Sequence, residues 1–168
     1  MRALGISGIN VTAPHKVEVM KYIDVVTDGA KKLGSVNTVV NRNGKLYGYN
    51  TDADGFCMAL TKAGIEIENS RILIIGAGGV VRPTLIRLID NKPKSITVVN
   101  RTKSKAKTLA EDILKSTGFE VNTEIDKLEF DIVINTTSAG MEPQENVMPI
   151  DNIEEINDLS FINENTAA

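Results

Sequence analysis

The segment from Arg71 to Val81 constrains the fold of this chain more than any other. It begins with an apolar run, residues 72–75, which is too short for a core helix and rich in β-branched isoleucine. The run stops at a glycine-rich segment, and apolar residues then recur at helical spacing over residues 80–89. A buried strand, a glycine turn and a helix in this order predict the first βα unit of a dinucleotide-binding parallel sheet.

Glycines in such a turn let a pyrophosphate approach the backbone, and the helix that follows offers its unpaired N–H groups to the charge. The residues predicted to bind a cofactor here are Gly76, Ala77, Gly78 and Gly79. An ordinary glycine turn stays open as the alternative, because Val81 stands at the third glycine position of the fingerprint. Pro83 is expected to distort the first turns unless the helix begins later.

A second strand is predicted over residues 95–99, and it ends at Asn100, Arg101 and Thr102. An NAD-binding chain places an acidic residue about 20 residues beyond the glycines, where it holds the ribose 2′-hydroxyl. This chain carries Arg101 there, with Lys103 and Lys105 close behind, which suits a 2′-phosphate. The residues therefore favour NADP over NAD, and the alternative is a solvated basic helix start.

The first third of the chain is expected to form smaller elements. The pattern predicts a strand over residues 8–11, a helix opened by Pro14 that runs to Ile23, and a second helix over residues 25–33 that ends at Gly34. Residues 35–40 and 45–49 predict a hairpin, since an Asn-Gly pair lies between them. A further helix is predicted over residues 53–62.

Polar residues stand where these strands end, and Lys16 and Asp52 are the two of most chemical interest. A lysine held beside a carboxylate can take and return the proton of an alcohol that is being oxidised. Spacing along the chain does not show that the two side chains meet. A solvated lysine and a helix N-cap are therefore the alternative interpretation of this pair.

Composition narrows the class of protein. The chain has 168 residues, a net charge of −3 and no basic block, which argues against a nucleic-acid partner. The single Cys57 excludes an internal disulfide and fits a reducing cytoplasm. One histidine and one cysteine cannot supply a zinc site, and we expect no metal, no signal peptide and no membrane span.

Six motifs, in chain order, closely resemble those of the shikimate dehydrogenase family. They are the segments 10–16 (NVTAPHK), 35–38 (SVNT), 48–52 (GYNTD), 76–79 (GAGG), 100–102 (NRT) and 135–141 (NTTSAGM). The resemblance covers essentially the whole chain. It implies an NADP-dependent oxidoreductase of a CH–OH group that interconverts 3-dehydroshikimate and shikimate in aromatic amino acid biosynthesis.

The resemblance also implies roles for individual residues. Lys16 and Asp52 fall on the catalytic pair, while Thr12, Asn37 and Asp52 fall on positions that hold substrate hydroxyls. The glycines match the pyrophosphate loop, and Asn100, Arg101 and Thr102 match the residues that hold the 2′-phosphate. The segment 137–141, with Thr137, Ser138 and Met141, matches the lining of the nicotinamide site.

The expected fold is α/β. A doubly wound parallel sheet, the Rossmann-type NADP domain of residues 65–168, follows an incomplete α/β substrate domain of residues 1–64. Besides the two strands described above, strands of this sheet are expected near residues 119–123, 131–136 and 157–162. The family's Ser-x-Ser segment and C-terminal helices have no counterpart, so we expect an internal fragment of the enzyme. Two other functions stay open, namely a truncated, non-catalytic NADP-binding module and a quinate/shikimate dehydrogenase relative. The expected partner is shikimate or 3-dehydroshikimate, and whether the protein forms a homodimer also stays open.

Overall fold

The computed structural model describes residues 1–139 and the backbone of residues 160–163. The chain divides into two compact units, Met1–Gly55 and Phe56–Ala168. Among the described residues, no helix is both long enough and apolar enough to span a membrane.

The first unit is built on a four-stranded mixed sheet. Its strands are β1 (Gly8–Asn10), β2 (Val25–Val26), β3 (Thr38–Arg42) and β4 (Lys45–Tyr49), in the order β1-β3-β4-β2. The unit also contains helix α1 (Asp28–Leu33) and two 3-10 helices, Arg2–Leu4 and Glu18–Tyr22. Its core consists of Ala30, Val36, Val39 and Leu46, which are all buried.

The predicted hairpin is confirmed as β3 and β4. Arg42 pairs with Lys45 across a two-residue loop in which Asn43 and Gly44 have φ values of 52° and 82°. Both values lie in the left-handed region, as a type I′ turn requires, and the Asn-Gly pair tolerates them. The turn sets the register that carries the chain from Asn37, before β3, to Asn50, after β4.

Two helix predictions in this unit are wrong. The helix expected from Pro14 to Ile23 is reduced to the 3-10 helix Glu18–Tyr22. The helix expected over residues 25–33 begins only at α1, because Val25 and Val26 pair with Tyr47 and Gly48 of the hairpin as β2. β-branched valines fit a sheet when a neighbouring strand is available, and that neighbour comes from a later part of the chain.

Helix α2 (Asp52–Lys62) begins in the first unit and ends in the second. The second unit has a four-stranded sheet in which every pair is parallel, formed by β5 (Arg71–Ile75), β6 (Ser95–Val99), β7 (Ile132–Asn135) and β8 (Ser160–Asn163). Its helices are α3 (Val81–Asp90) and α4 (Lys103–Thr117). The predicted parallel α/β fold is therefore confirmed.

The strand order β6-β5-β7-β8 places the reversal of winding at β5 and β7. In open parallel sheets, ligands bind beyond the carboxyl ends of the strands at such a switch point. Ile75 pairs with Val99 on one side and Asn135 on the other, so three loops leave the same edge together. The strands themselves are anchored by buried residues such as Leu73 and Val133.

Two details differ from expectation in the second unit. Pro83 is the third residue of α3, where backbone N–H groups have no partner within the helix, so the proline costs no helical hydrogen bond. The strand expected over residues 119–123 is absent, since only Asn122 bridges to Thr97. Of the strand expected over residues 157–162, the described part forms β8, which extends to Asn163.

Candidate functional site

A polar cluster in the first unit is centred on the carboxylate of Asp52. Lys16 Nζ donates a hydrogen bond to Asp52 Oδ2 at 2.7 Å, and Asn37 Nδ2 donates to Asp52 Oδ1 at 2.6 Å. Each carboxylate oxygen therefore has its own donor. Lys16 and Asp52, which are 36 positions apart in sequence, meet as an ion pair. We call Lys16, Asn37 and Asp52 the lysine cluster.

Backbone pairing brings the members of the lysine cluster together. Val36 N–H donates to the Lys16 carbonyl at 2.8 Å, which ties the loop after β1 to the start of β3. Asn37 N–H donates to the Tyr49 carbonyl at 3.0 Å, which aligns it with the end of β4. Asp52 is the first residue of α2, so the helix begins where these strands end.

The side chain of Asn37 is fully used within the unit. Its Oδ1 accepts hydrogen bonds from Thr51 N–H at 3.0 Å and from Thr38 Oγ1 at 2.9 Å. Its Nδ2 lies within hydrogen-bond distance of Thr51 Oγ1 as well as of Asp52. Asn37 thus orients the carboxylate of Asp52, and its implied contact with a substrate hydroxyl stays a prediction.

Asn50 is a structural member of this site that the sequence interpretation did not assign. It is buried, its Nδ2 donates to Ser35 Oγ at 2.8 Å, and its Oδ1 accepts from Asp52 N–H at 3.1 Å. Asn50 therefore satisfies the N–H of the first residue of α2, and the Asp52 carboxylate is left for Lys16 and Asn37. An asparagine two residues before an aspartate at a helix start is the signal that could have indicated this.

The lysine cluster is partly open to solvent. The Lys16 side chain is 25% exposed and the Asp52 side chain 52% exposed. Thr12, the third residue implied to contact substrate, is exposed in the loop after β1, where its carbonyl accepts a hydrogen bond from His15 N–H. The pair can therefore meet a dissolved alcohol or ketone without any change in the fold of the first unit.

The glycine loop of the second unit connects β5 to α3. Gly76 has a φ of 116°, its N–H donates to the Val99 carbonyl at 2.7 Å, and a Cβ at this position would collide with Thr136 Oγ1. A Cβ at Gly78 or at Gly79 would meet no atom of the described residues within 4 Å. The loop is thus tightly held at its first glycine and open around the next two, and Ala77 lies between them.

A basic segment follows β6. Asn100 Nδ2 donates to the Thr102 carbonyl at 3.0 Å, and Thr102 stands at the N-cap position of α4. Arg101 and Thr102 are exposed, and within the described part of the chain the Arg101 guanidinium has no hydrogen-bond or ion-pair partner. An exposed, unpaired cation at the start of a helix suits an anionic group.

The third loop at this edge follows β7. Asn135 is buried, and its Oδ1 accepts hydrogen bonds from both N–H and Oγ1 of Thr137. Ser138 is exposed beside Thr137, and Met141 lies outside the described residues. Asn135 and Thr136 were not predicted as site residues, although both stand at the end of a strand in the motif that carries the resemblance.

These three loops fit an NADP molecule. Gly78 and Gly79 leave open space before the N-terminus of α3, which can receive a pyrophosphate, and Arg101 can meet a 2′-phosphate. Nothing comparable suits a metal ion, because no group of three or more His, Cys, Asp or Glu residues comes together in the described ranges.

Two family descriptions match the chain. "Shikimate / quinate 5-dehydrogenase" matches residues 58–160, and "Shikimate dehydrogenase substrate binding domain" matches residues 1–39. A curated relative, the shikimate dehydrogenase (NADP(+)) of Geobacillus sp. (strain WCH70), is 48% identical over 155 residues, covering 89% of this chain and 56% of the relative.

Solved structures give the same result. Shikimate dehydrogenase from Aquifex aeolicus superposes with a TM-score of 0.81 at 37% identity, covering 96% of this chain and 59% of that one. The Thermus thermophilus enzyme, in complex with NADP(H) and shikimate, has a TM-score of 0.74 at 32% identity, covering 88% of this chain and 54% of that one. The chain spans slightly more than half the length of these relatives.

Proposed function

The chain belongs to the shikimate / quinate dehydrogenase family, and from this we propose that it performs the NADP-dependent, reversible reduction of 3-dehydroshikimate to shikimate. The observation that carries the proposal is the Lys16–Asp52 pair, in which an ammonium group is held at 2.7 Å from a carboxylate that a buried amide orients. The reaction would serve the route to chorismate and the aromatic amino acids, in the cytoplasm.

Lys16 is the proposed proton donor and acceptor. In the reducing direction its ammonium group would give a proton to the oxygen that becomes the new hydroxyl, and in the oxidising direction the neutral amine would take that proton back. Asp52 holds Lys16 through Oδ2 and would accept a hydrogen bond from a substrate hydroxyl. Thr12 and Asn37 are the other proposed contacts of substrate hydroxyls, and Asn37 would exchange one of its present hydrogen bonds for this contact. Bound NADPH supplies the hydride that completes the reduction.

The cofactor is assigned to the three loops of the second unit. Gly76, Ala77, Gly78 and Gly79 would receive the pyrophosphate at the N-terminus of α3, and Asn100, Arg101 and Thr102 would hold the 2′-phosphate. Thr137 and Ser138, with Met141 beyond them, would line the nicotinamide. The proposed division of labour follows the predicted domains, with residues 1–64 for the substrate and residues 65–168 for NADP.

The test is an assay of NADPH formation from shikimate and NADP, run beside a calorimetric titration with NADP. We expect Lys16→Ala to lower kcat by about 100-fold or more, because the proton transfer loses its donor and acceptor, while the affinity for NADP is unchanged. Lys21→Ala is the matched control, since Lys21 is also paired with a carboxylate, that of Glu18, but on the exposed 3-10 helix.

The other outcomes separate the alternatives. NADP binding without turnover in the unchanged chain would favour a non-catalytic NADP-binding module. Faster turnover with quinate and NAD than with shikimate and NADP would favour a quinate-oxidising relative. Light scattering of the same sample would distinguish a monomer from the homodimer.

A further inference from the structure

We propose that Asn135 and Thr136 are positioning residues that fix the glycine loop and the segment after β7 relative to each other, so that both meet one dinucleotide. The inference rests on the proposed function, since it concerns how the same NADP site is held. Neither residue is among those assigned to contact the cofactor. Each acts through the hydrogen bonds of a neighbouring loop.

Thr136 fixes the first residue of the glycine loop. Its N–H and its Oγ1 both donate to the Ile75 carbonyl, at 2.9 and 2.8 Å, directly before Gly76. The Thr136 side chain also occupies the space where a Cβ at position 76 would lie. Since Gly76 N–H donates to Val99, the start of the loop is held between β6 on one side and Thr136 on the other.

Asn135 fixes the opposite loop. With only 1% of its surface exposed, it accepts hydrogen bonds from Thr137 N–H at 2.9 Å and Thr137 Oγ1 at 2.7 Å, and its Nδ2 donates to the Ala139 carbonyl at 2.9 Å. Ala139 N–H in turn donates to Thr137 Oγ1 at 3.1 Å. One buried amide therefore closes residues 137–139 into a single hydrogen-bonded turn.

The two residues are adjacent, and Asn135 pairs in register with Ile75. Both loops therefore start from one point of the sheet, and a displacement at either residue changes the distance between the pyrophosphate contacts and the nicotinamide contacts. The 2′-phosphate contacts start from β6 and depend on neither side chain. Loss of Asn135 or Thr136 should accordingly affect only the part of the cofactor beyond the adenosine.

The test compares NADP with adenosine 2′-monophosphate, which has the 2′-phosphate but no pyrophosphate and no nicotinamide. We expect Thr136→Val and Asn135→Ala each to weaken NADP binding about tenfold, which corresponds to roughly the free energy of one hydrogen bond, and to leave the affinity for adenosine 2′-monophosphate within about twofold. Thr136→Ser, which keeps the hydroxyl, should restore NADP binding. Thr136→Val removes little from the fold, because the Thr136 N–H still satisfies Ile75.

The matched control is Thr117→Val, which removes a hydroxyl that also donates to a backbone carbonyl, that of Ile113, at 2.8 Å, but at the far end of α4. It should change the affinity for neither ligand. An equal loss of affinity for both ligands in the Asn135 and Thr136 variants, or no loss for either, would overturn the inference.

Hydrogen exchange tests the same idea without a cofactor. In Asn135→Ala, the amides of Thr137 and Ala139 should exchange about tenfold faster or more, while amides inside β7 keep their protection. A chain that binds no NADP would contradict the proposed function. In that case hydrogen exchange would be the remaining test of the inference. Unchanged protection of the Thr137 and Ala139 amides in Asn135→Ala would refute it.

Discussion

At position 37 only an amide can form hydrogen bonds with both the donors and the acceptor that surround it. Asn37 donates to the Asp52 carboxylate and at the same time accepts from Thr51 N–H and the Thr38 hydroxyl. An aspartate there would repel Asp52, and a leucine would leave buried polar groups unpaired, at a cost of roughly 1–3 kcal/mol each. The chemistry assigned to Lys16 therefore depends on a residue that acts through the Asp52 carboxylate.

Asp52→Asn tests the lysine cluster by replacing one carboxylate oxygen of Asp52 with an NH2 group. Lys16 and Asn37 face different oxygens of Asp52, so the amide would present an NH2 group to one of these two donors, and the charge that holds the ammonium group is gone. We expect kcat for shikimate oxidation to fall about 100-fold with little change in NADP affinity. Asp28→Asn is the control, because Asp28 pairs with Lys31 on the exposed face of α1. Equal loss in both variants would contradict the prediction.

The sequence indicated Lys16 and Asp52 but could not show that they meet. Their contact depends on the backbone hydrogen bonds that align the loop after β1 with the ends of β3 and β4. Asn50 and Asn135 were missed for a related reason. Their importance comes from which polar groups are buried around them, and burial is decided by tertiary packing rather than by local pattern.

In the turn between β5 and α3, Gly76 and Gly78 are explained by two different physical requirements. Gly76 is required by the fold, since its φ of 116° and its contact with Thr136 exclude a side chain. At Gly78 a Cβ has room among the described residues, so the fold alone does not require glycine there. The close approach of a ligand would explain the second glycine.

Alanine substitutions separate the two reasons. Gly76→Ala should lower the free energy of unfolding by about 1–3 kcal/mol, through backbone strain and the clash with Thr136, and should weaken NADP binding as well. Gly78→Ala should leave the urea midpoint unchanged and weaken NADP binding only. Comparable destabilisation by both substitutions would show that position 78 is also required by the fold.

Elements with a strong local signal were predicted well, and those that depend on a distant partner were not. The Asn-Gly hairpin and the β5–α3 unit carry their own turn residues, and both are confirmed. Strand β2 was expected as helix because its two valines become a strand only beside β4. The strand prediction for the segment around Asn122 was wrong for the opposite reason. The segment has strand-like residues, but it forms hydrogen bonds to β6 only through Asn122.

On the scale of the whole molecule, three charged side chains are joined by hydrogen bonds at the amino end of the parallel sheet. We call Arg71, Asp131 and Glu129 the clamp. Arg71, at the start of β5, donates through Nε and Nη2 to both oxygens of Asp131, which precedes β7, and through Nη1 to Glu129. These hydrogen bonds from Arg71 lower the pKa of Asp131 to about 2. The clamp and the cofactor loops are thus at opposite ends of the same strands.

The global stability of the protein should therefore depend on pH at the acidic end. Since the pKa of Asp131 in the folded state lies below its ordinary value of 3.8, the stabilisation is complete above that value and is lost as the pH falls toward 2. Because both side chains are partly exposed, solvent screening limits the effect to about 1 kcal/mol. Urea unfolding at pH 5 and pH 2.5 should show this loss in the unchanged chain.

Asp131→Asn should remove most of that difference between the two pH values. The exposed Asp126, in the same segment, provides the control, and Asp126→Asn should keep the difference. A difference that survives in Asp131→Asn would assign the acid sensitivity to other carboxylates.

The hydrogen bonds around Asp52 have a consequence for the rate of the proposed reaction. Holding a lysine side chain in one rotamer costs about 2 kcal/mol of conformational entropy. Since Lys16 already lies against Asp52, this entropy is lost during folding and not during the reaction step. The amide dipole of Asn37 and the carboxylate of Asp52 are likewise oriented before any substrate arrives. Because these groups are already oriented, reaching the transition state requires less reorganisation than water molecules around the same charges would need.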